Sequence, residues 1–368
     1  MCTLSAGHDP EVGTAVEPIG GFFGLDLEQA PLAADSVWDA WTHPFNTVST
    51  FGIARAALEA VFKATASRRV WLPAYFCREA THALESVAAA IGAKVRTYGL
   101  TDELEPDVEQ LGPQLASGDL VVVVDYFGWP PSLKFRDWTE SRPDVVWVED
   151  RAQTLWTAEP PWAAWCVYSP RKLLGTPNGG ILLGKTLVSL ESADNAPDLT
   201  VGLPELMRFE DVSQGQNDRW YAAYQAREAA FAQTPGVMSQ LTSSLLRRVP
   251  IAPLVRARQT NYAYLLGRLR SLAAWPRSEA NTAPFGLVIT VEDASALARQ
   301  LAEQRLFCAR HWADLGSDPA AFPFEHRLSR QLVTLPCDHR YSPPVLERLV
   351  DAIERLAPAP GSLSRVCP

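Results

Sequence analysis

The chain has 368 residues, 47% of them hydrophobic and 20% charged, with a formal charge of −9 at pH 7. That is the balance of a globular protein, and the acidic surplus argues against a nucleic-acid footprint. The length allows a large core divided between two unequal lobes.

The N-terminal residues 1–40 are rich in Gly, Pro and acids and read as an irregular leader. They lack a basic start followed by an apolar run, so no secretory signal is expected. From there, "ARAALEAVFKATAS" (54–67) has apolar residues at helical spacing, and "RVWLPAYF" (69–76) reads as a buried strand. "REATHALESVAAAIGA" (78–93) predicts a helix closing at Gly92, followed by "KVRTYGL" as a strand. Further strands are predicted at "DLVVVVDYFG" (119–128), "DVVWVED" (144–150), "AAWCVYSP" (163–170) and "GGILLGK" (179–185). Short apolar strands alternating with helices indicate an α/β domain with a mostly parallel sheet, here spanning residues 41–245. Such sheets place ligands beyond the strand ends, where the polar groups cluster.

The pattern then changes. "RWYAAYQAREAAFA" (219–232), "TNYAYLLGRLRSLAA" (260–274), "DASALARQLAEQ" (293–304) and "SPPVLERLVDAIERLA" (342–357) read as helices. "FGLVITV" (285–291) and "RQLVTLPCD" (330–338) read as strands. Residues 246–368 therefore form a smaller α+β domain. The six cysteines (Cys2, Cys77, Cys166, Cys308, Cys337 and Cys367) are scattered without a CxxC pair. Their spacing argues against a zinc ribbon or disulfide framework and for a reducing compartment. No stretch approaches the roughly 20 apolar residues that span a bilayer, so the expected location is cytoplasmic.

Lysine is scarce: Lys63, Lys94, Lys134, Lys172 and Lys185 are all there are. "WVEDRAQ" ends a strand with Asp150 and turns through Ala152 and Gln153, while "CVYSPRK" ends the next with Ser169 and brings Lys172 three residues on. Each has an ordinary alternative. Asp150 could cap a helix, Gln153 could be a solvated turn residue, Ser169-Pro170 is a common turn pair, and a lone lysine is usually a surface cation. The stretch is not a phosphate-binding P-loop, which needs glycines before the lysine and Ser or Thr directly after it. Taken together at consecutive strand ends, the groups match the needs of pyridoxal 5′-phosphate. An amine condenses with its aldehyde, a carboxylate holds the ring nitrogen protonated, an amide or hydroxyl bonds the phenolic oxygen, and hydroxyls with backbone N–H groups cradle the phosphate.

These residues resemble the DegT/StrS-type aminotransferases of pyridoxal-phosphate fold type I. The resemblance rests on "EDRAQ" (149–153), "SPRK" (169–172) and "NGG" (178–180). It extends to "STFGIARAALEAVF" (49–62), "LPAYFCREATHAL" (72–84), "VVVVDYFGWP" (121–130) and "LPCDHRYSPPVLERLVDAI" (335–353). It implies a large domain with a mostly parallel sheet plus a smaller C-terminal α+β domain. Lys172 would be the Schiff-base lysine, Asp150 the ring-nitrogen partner, Gln153 the phenolic-oxygen partner, Ala152 the residue packed on the ring and Ser169 a phosphate ligand. The backbone at Ala54 and Arg55 would complete the phosphate site. Within "GQNDRW" (215–220), Asn217 would reach the phosphate of a neighbouring subunit, which implies a homodimer with shared sites.

Three departures mark a divergent branch. Ile53-Ala54 replaces a small Ser-Gly pair, Cys77 stands where a ring-stacking aromatic is usual (Tyr75 or Phe76 would stack instead), and Arg151 replaces a small residue. The retained lysine favours transamination over dehydration. The implied donor is glutamate or glutamine, its carboxylate met by Arg219, Arg310 or Arg340. The implied acceptor is a keto-sugar nucleotide or another carbonyl intermediate of polysaccharide or specialised-metabolite biosynthesis. A lyase or decarboxylase reaction on the same cofactor, and a non-catalytic regulatory module, remain alternatives. His311 lies in a small-lobe loop that could face the cleft, though a structural or surface role is the more common one for such a residue. His339 reads as structural, and the tryptophans as core or interface packing.

Overall fold

The computed structural model describes residues 19–20, 33–43, 45, 47–186, 188, 200–211, 217–233 and 236–357. Its first half runs β1 (Ile19–Gly20), α1 (Val37–Thr42), β2 (Thr47–Phe51), α2 (Ala54–Thr65), β3 (Arg69–Pro73), α3 (Arg78–Ala90) and β4 (Lys94–Tyr98). It continues with α4 (Val108–Leu111), β5 (Leu120–Val124), α5 (Leu133–Glu140), β6 (Val146–Asp150), β7 (Trp165–Tyr168) and β8 (Gly180–Gly184). Then come α6 (Leu203–Asp211), α7 (Asn217–Gln233), α8 (Gln240–Arg248), α9 (Ile251–Leu269), β9 (Gly286–Thr290) and α10 (Ala294–Glu303). The last elements are β10 (Leu306–Phe307), α11 (Pro323–Gln331), β11 (Leu332–Pro336) and α12 (Pro343–Leu356).

Seven strands form the central sheet in the order β2-β8-β7-β6-β5-β3-β4. β4, β3, β5, β6 and β7 pair in parallel, and β8 runs antiparallel to both its neighbours. Every residue of β5 and β8 is buried, because helices and loops cover both faces. That double burial is why these strands read as unbroken apolar runs and not as alternating ones. α2 packs Ala56, Ala57, Ala60, Val61 and Phe62 into the core, the helical spacing seen in the sequence.

The smaller sheet pairs β9 antiparallel with β11, Val288 opposite Thr334. α12 buries Leu346, Leu349, Val350 and Ile353, again one face of a helix. β1 pairs in parallel with β10.

The reading of 1–40 as irregular needs correction at its end, where α1 begins at Val37. Ser36 caps it by accepting a hydrogen bond from Asp39 N–H at 3.1 Å. Trp41 then stacks on Tyr168 of β7 at 4.7 Å, and its indole N–H donates to the Leu155 carbonyl at 2.7 Å. One capped turn with one buried aromatic is too short for a periodic pattern to reveal.

The "NGG" step has a steric cause. Gly179 adopts φ +123°, and Ile53 bridges to it across the sheet edge. A Cβ on Gly180 would lie 2.4 Å from the Ile53 carbonyl group. Two glycines thus allow the start of α2 to sit against β8, close to the turn that carries Lys172.

Candidate active site

β6 and β7 are parallel neighbours, so their C-terminal ends deliver their loops to the same edge of the sheet. Asp150 is the last residue of β6, and Ser169 follows β7 and precedes a 3₁₀ turn over Pro170–Lys172. A cavity of about 750 Å³ opens there, and Asp150, Ala152, Ser169 and Lys172 all line it. Ala54, Arg55 and Phe76 line it as well, the first two from the opening turn of α2, whose N-cap Ile53 offers no side chain to its backbone N–H groups. The structure therefore brings seven of the sequence-predicted residues to one cavity.

Asp150 is 6% exposed and accepts one hydrogen bond, from the Ala152 N–H at 2.9 Å. Burial pushes its carboxyl up, and the Lys172 charge and that N–H oppose the rise. Side chains alternate along a strand, so Glu149 and Arg151 turn away from the cavity on either side of Asp150. The Arg151 guanidinium binds Glu149 Oε1 at 2.8 Å, lies 3.4 Å from Asp125 Oδ2 and donates to Tyr168 Oη at 3.2 Å. All three ionisable side chains are buried, and desolvation pushes both the Asp125 and Glu149 carboxyls up. Arg151 therefore replaces a small residue without disturbing the cavity, because two buried acids take its charge.

Gln153 and Tyr75 stand behind the lining. Gln153 Oε1 accepts from the Phe127 N–H at 2.7 Å, and its Nε2 is buried with no partner among the described residues. Phe127 adopts φ +57°, a conformation costly for an aromatic residue, and this bond helps hold it. Tyr75 is fully buried against Tyr126 and Trp312, and its hydroxyl has no partner among the described residues. Tyr126 Oη donates to the Tyr75 carbonyl, which fixes the segment ahead of Phe76. Cys77 lines the cavity and donates its S–H to Glu79 Oε2 at 2.8 Å. Burial is the largest influence on its thiol and pushes it up, against the Lys172 charge. Asn217 opens α7, and its side chain lies outside the described residues.

Of the three arginines considered for a substrate carboxylate, Arg340 lines the cavity, with Nε and Nη2 on the two oxygens of Asp338 at 2.8 and 2.9 Å. Arg310 instead donates to the Ser329 carbonyl at 3.2 Å, and Arg219 is exposed.

His311, expected to be structural or on the surface unless its loop faced the cleft, lines the cavity with its Nδ1 3.0 Å from Thr334 Oγ1. Burial and the Lys172 charge hold its imidazole down to about 3, so it is neutral at physiological pH. Sequence reasoning missed Arg258, Thr334 and Asp338, which also line the cavity. The Asp-x-Arg spacing of 338 and 340 was a readable signal. A buried arginine inside a helix carries none.

No family model matches the sequence, and no curated protein is detectably similar to it. Solved structures do match. Spr1654 of Streptococcus pneumoniae, in its PLP form, is 14% identical with a TM-score of 0.62, over 92% of this chain and 98% of that one. A DegT DnrJ EryC1 StrS aminotransferase of Brucella abortus is 15% identical with a TM-score of 0.61, over 86% and 87%. DesI, solved with its TDP-sugar product, is 12% identical with a TM-score of 0.60, over 85% and 81%. The chain has the aminotransferase fold of these proteins. In that aminotransferase fold, the cavity lies where the large parallel sheet meets the smaller sheet, with Lys172 and Asp150 from the one and Thr334 and Arg340 from the other.

Proposed function

We propose that the protein is an aminotransferase dependent on pyridoxal 5′-phosphate. It moves an amino group from an amino-acid donor, glutamate or glutamine, to a keto-sugar nucleotide or another carbonyl intermediate of polysaccharide or specialised-metabolite biosynthesis. One observation carries this reading: an amine (Lys172), a buried carboxylate (Asp150), a hydroxyl (Ser169) and a helix N-terminus (Ala54, Arg55) open on a single cavity at the strand ends. The cofactor fits the chemistry of this donor set, while Gln153, expected to bond the phenolic oxygen, stands behind the lining with its Oε1 on the Phe127 N–H.

When bound, the cofactor supplies an electron sink that lets a proton leave the carbon bearing the substrate amine. Lys172 would hold its aldehyde, and the Lys172 Nζ would carry that proton as base and acid. Asp150, whose carboxyl burial pushes up while the Lys172 charge and the Ala152 N–H oppose the rise, would pair with the ring nitrogen. Ala152 would leave room for the ring, and Phe76, with Tyr75 buried behind, would pack against it. Ser169 and the α2 backbone N–H groups bind the phosphate. Arg340, held by both oxygens of Asp338, receives the donor carboxylate.

The reading includes a homodimer in which Asn217 serves the partner's phosphate site. Exposed Leu203, Leu206, Phe209 and Tyr221 on α6 and α7 support a subunit contact there. The free thiols of Cys77, Cys166, Cys308 and Cys337 suit the cytoplasm. The experiment is a half-reaction. Protein loaded with pyridoxal phosphate should be yellow, and glutamate or glutamine should bleach it to the amine form. A yellow protein that no amino acid bleaches would rule out transamination.

A further inference from the structure

Arg258 lies within α9 and is 1% exposed, yet among the described residues no carboxylate bonds to it. Its guanidinium is held by backbone carbonyls. Nη1 donates to Pro284 at 3.2 Å and Phe285 at 3.1 Å, and Nη2 donates to Leu173 at 3.3 Å. Burial pushes its guanidinium down, the Cys337 side chain and the nearby Asp338 charge oppose that, and the hydrogen bonds at its two Nη atoms go to backbone carbonyls. A buried fork that spends its bonds on three backbone carbonyls serves a purpose in those segments.

The purpose lies in what the carbonyls belong to. Leu173 directly follows Lys172, and its N–H closes the lysine turn on Pro170 at 2.9 Å. Phe285 donates its N–H to the Phe127 carbonyl at 2.9 Å, and the Phe127 N–H is bonded in turn to Gln153, in the loop that follows Asp150. One guanidinium thus ties the lysine turn to the loop of its partner carboxylate, and both to α9.

We propose that Arg258 is a positioning residue that sets the placement of Lys172 relative to Asp150 by pinning the Leu173 carbonyl to the 284–285 segment. It acts through Leu173 and Phe285. The planar fork presents its donors from two separate nitrogens in fixed directions, a geometry that the single Nζ of lysine does not reproduce. The inference rests on the aminotransferase reading for what the pair is used for, but its geometry does not.

The test compares Arg258→Lys and Arg258→Met with the unaltered protein by two readouts. In hydrogen exchange of the cofactor-free protein, the Leu173, Leu174 and Phe285 amides should exchange about tenfold faster in both variants, while Val122 and Val148 in the sheet stay unchanged. With pyridoxal phosphate added, the pH midpoint of the yellow lysine-linked form should shift in both variants. Should Arg258→Met not fold, Arg258→Lys carries both readouts. Exchange that quickens evenly across the sheet, together with an unmoved midpoint, would overturn the proposal and leave Arg258 a packing residue. A yellow form absent from the unaltered protein refutes the aminotransferase reading instead, and the exchange comparison still decides Arg258.

Discussion

Replacing His311 with glutamine measures what it costs to keep a neutral imidazole in the cavity wall. In the native protein, burial and the Lys172 charge hold the ring down to about 3, whereas in the unfolded chain it takes a proton near its ordinary 6.5. Above about pH 7.5 both states are neutral and the ring contributes nothing to pH dependence. As the pH falls through 6.5, the unfolded state gains a proton that the native state refuses, so stability drops by up to about 1.4 kcal/mol per pH unit. Between pH 7 and pH 5 this reaches about 2 kcal/mol, and because the half-buried ring meets water in the cavity, screening leaves roughly 1–2 kcal/mol. The assay is urea unfolding of both proteins at pH 7, 6 and 5, since taking the difference cancels every other titration. The stability advantage of the unaltered protein should shrink by that amount on acidification, and Lys172→Met should weaken the effect. A difference that stays constant with pH, or a His311 NMR titration with a midpoint near 6.5, would refute the reasoning.

Three other outcomes follow from the same geometry. Arg151→Met strands the buried Glu149 and Asp125 carboxylates and should cost roughly 3–5 kcal/mol in urea unfolding, with part of the loss recovered by adding Glu149→Gln. Gly180→Ala forces a Cβ into the Ile53 carbonyl and should cost roughly 1–3 kcal/mol, while weakening cofactor affinity measured by fluorescence quenching, because the start of α2 must move. Asp150→Asn should still bind the cofactor but slow the glutamate half-reaction, followed by stopped-flow absorbance, by about a hundredfold or more.

Most of the large sheet was legible because its central strands are buried on both faces and stand out as apolar runs, with β5 the plainest, whereas the half-exposed edge strand β2 gave no such run. Lys172 became interpretable through Asp150 and Ser169, since neighbouring parallel strands carry residues at their ends to one place. α1, α6 and α8 were not legible: each is nine residues or fewer, and α1 and α8 rest on local serine caps, too short a span for periodicity to separate from turns. Arg258 was beyond reach for a different reason. Its role depends on contacts with Leu173 and Phe285, both distant in the chain, and nothing local distinguishes it from a surface residue. Arg151 shows the converse. Its identity broke the expected motif, but alternation along the strand carried it to the opposite face, where two acids waited.

The central claim is that Lys172 is the amine that holds pyridoxal phosphate. Borohydride reduction of the loaded protein, followed by peptide mass spectrometry, tests it most directly. The account predicts a reduced pyridoxyl label on Lys172, and neither label nor yellow colour in Lys172→Ala. A label on another lysine, or a Lys172→Ala protein that stays yellow, would contradict it.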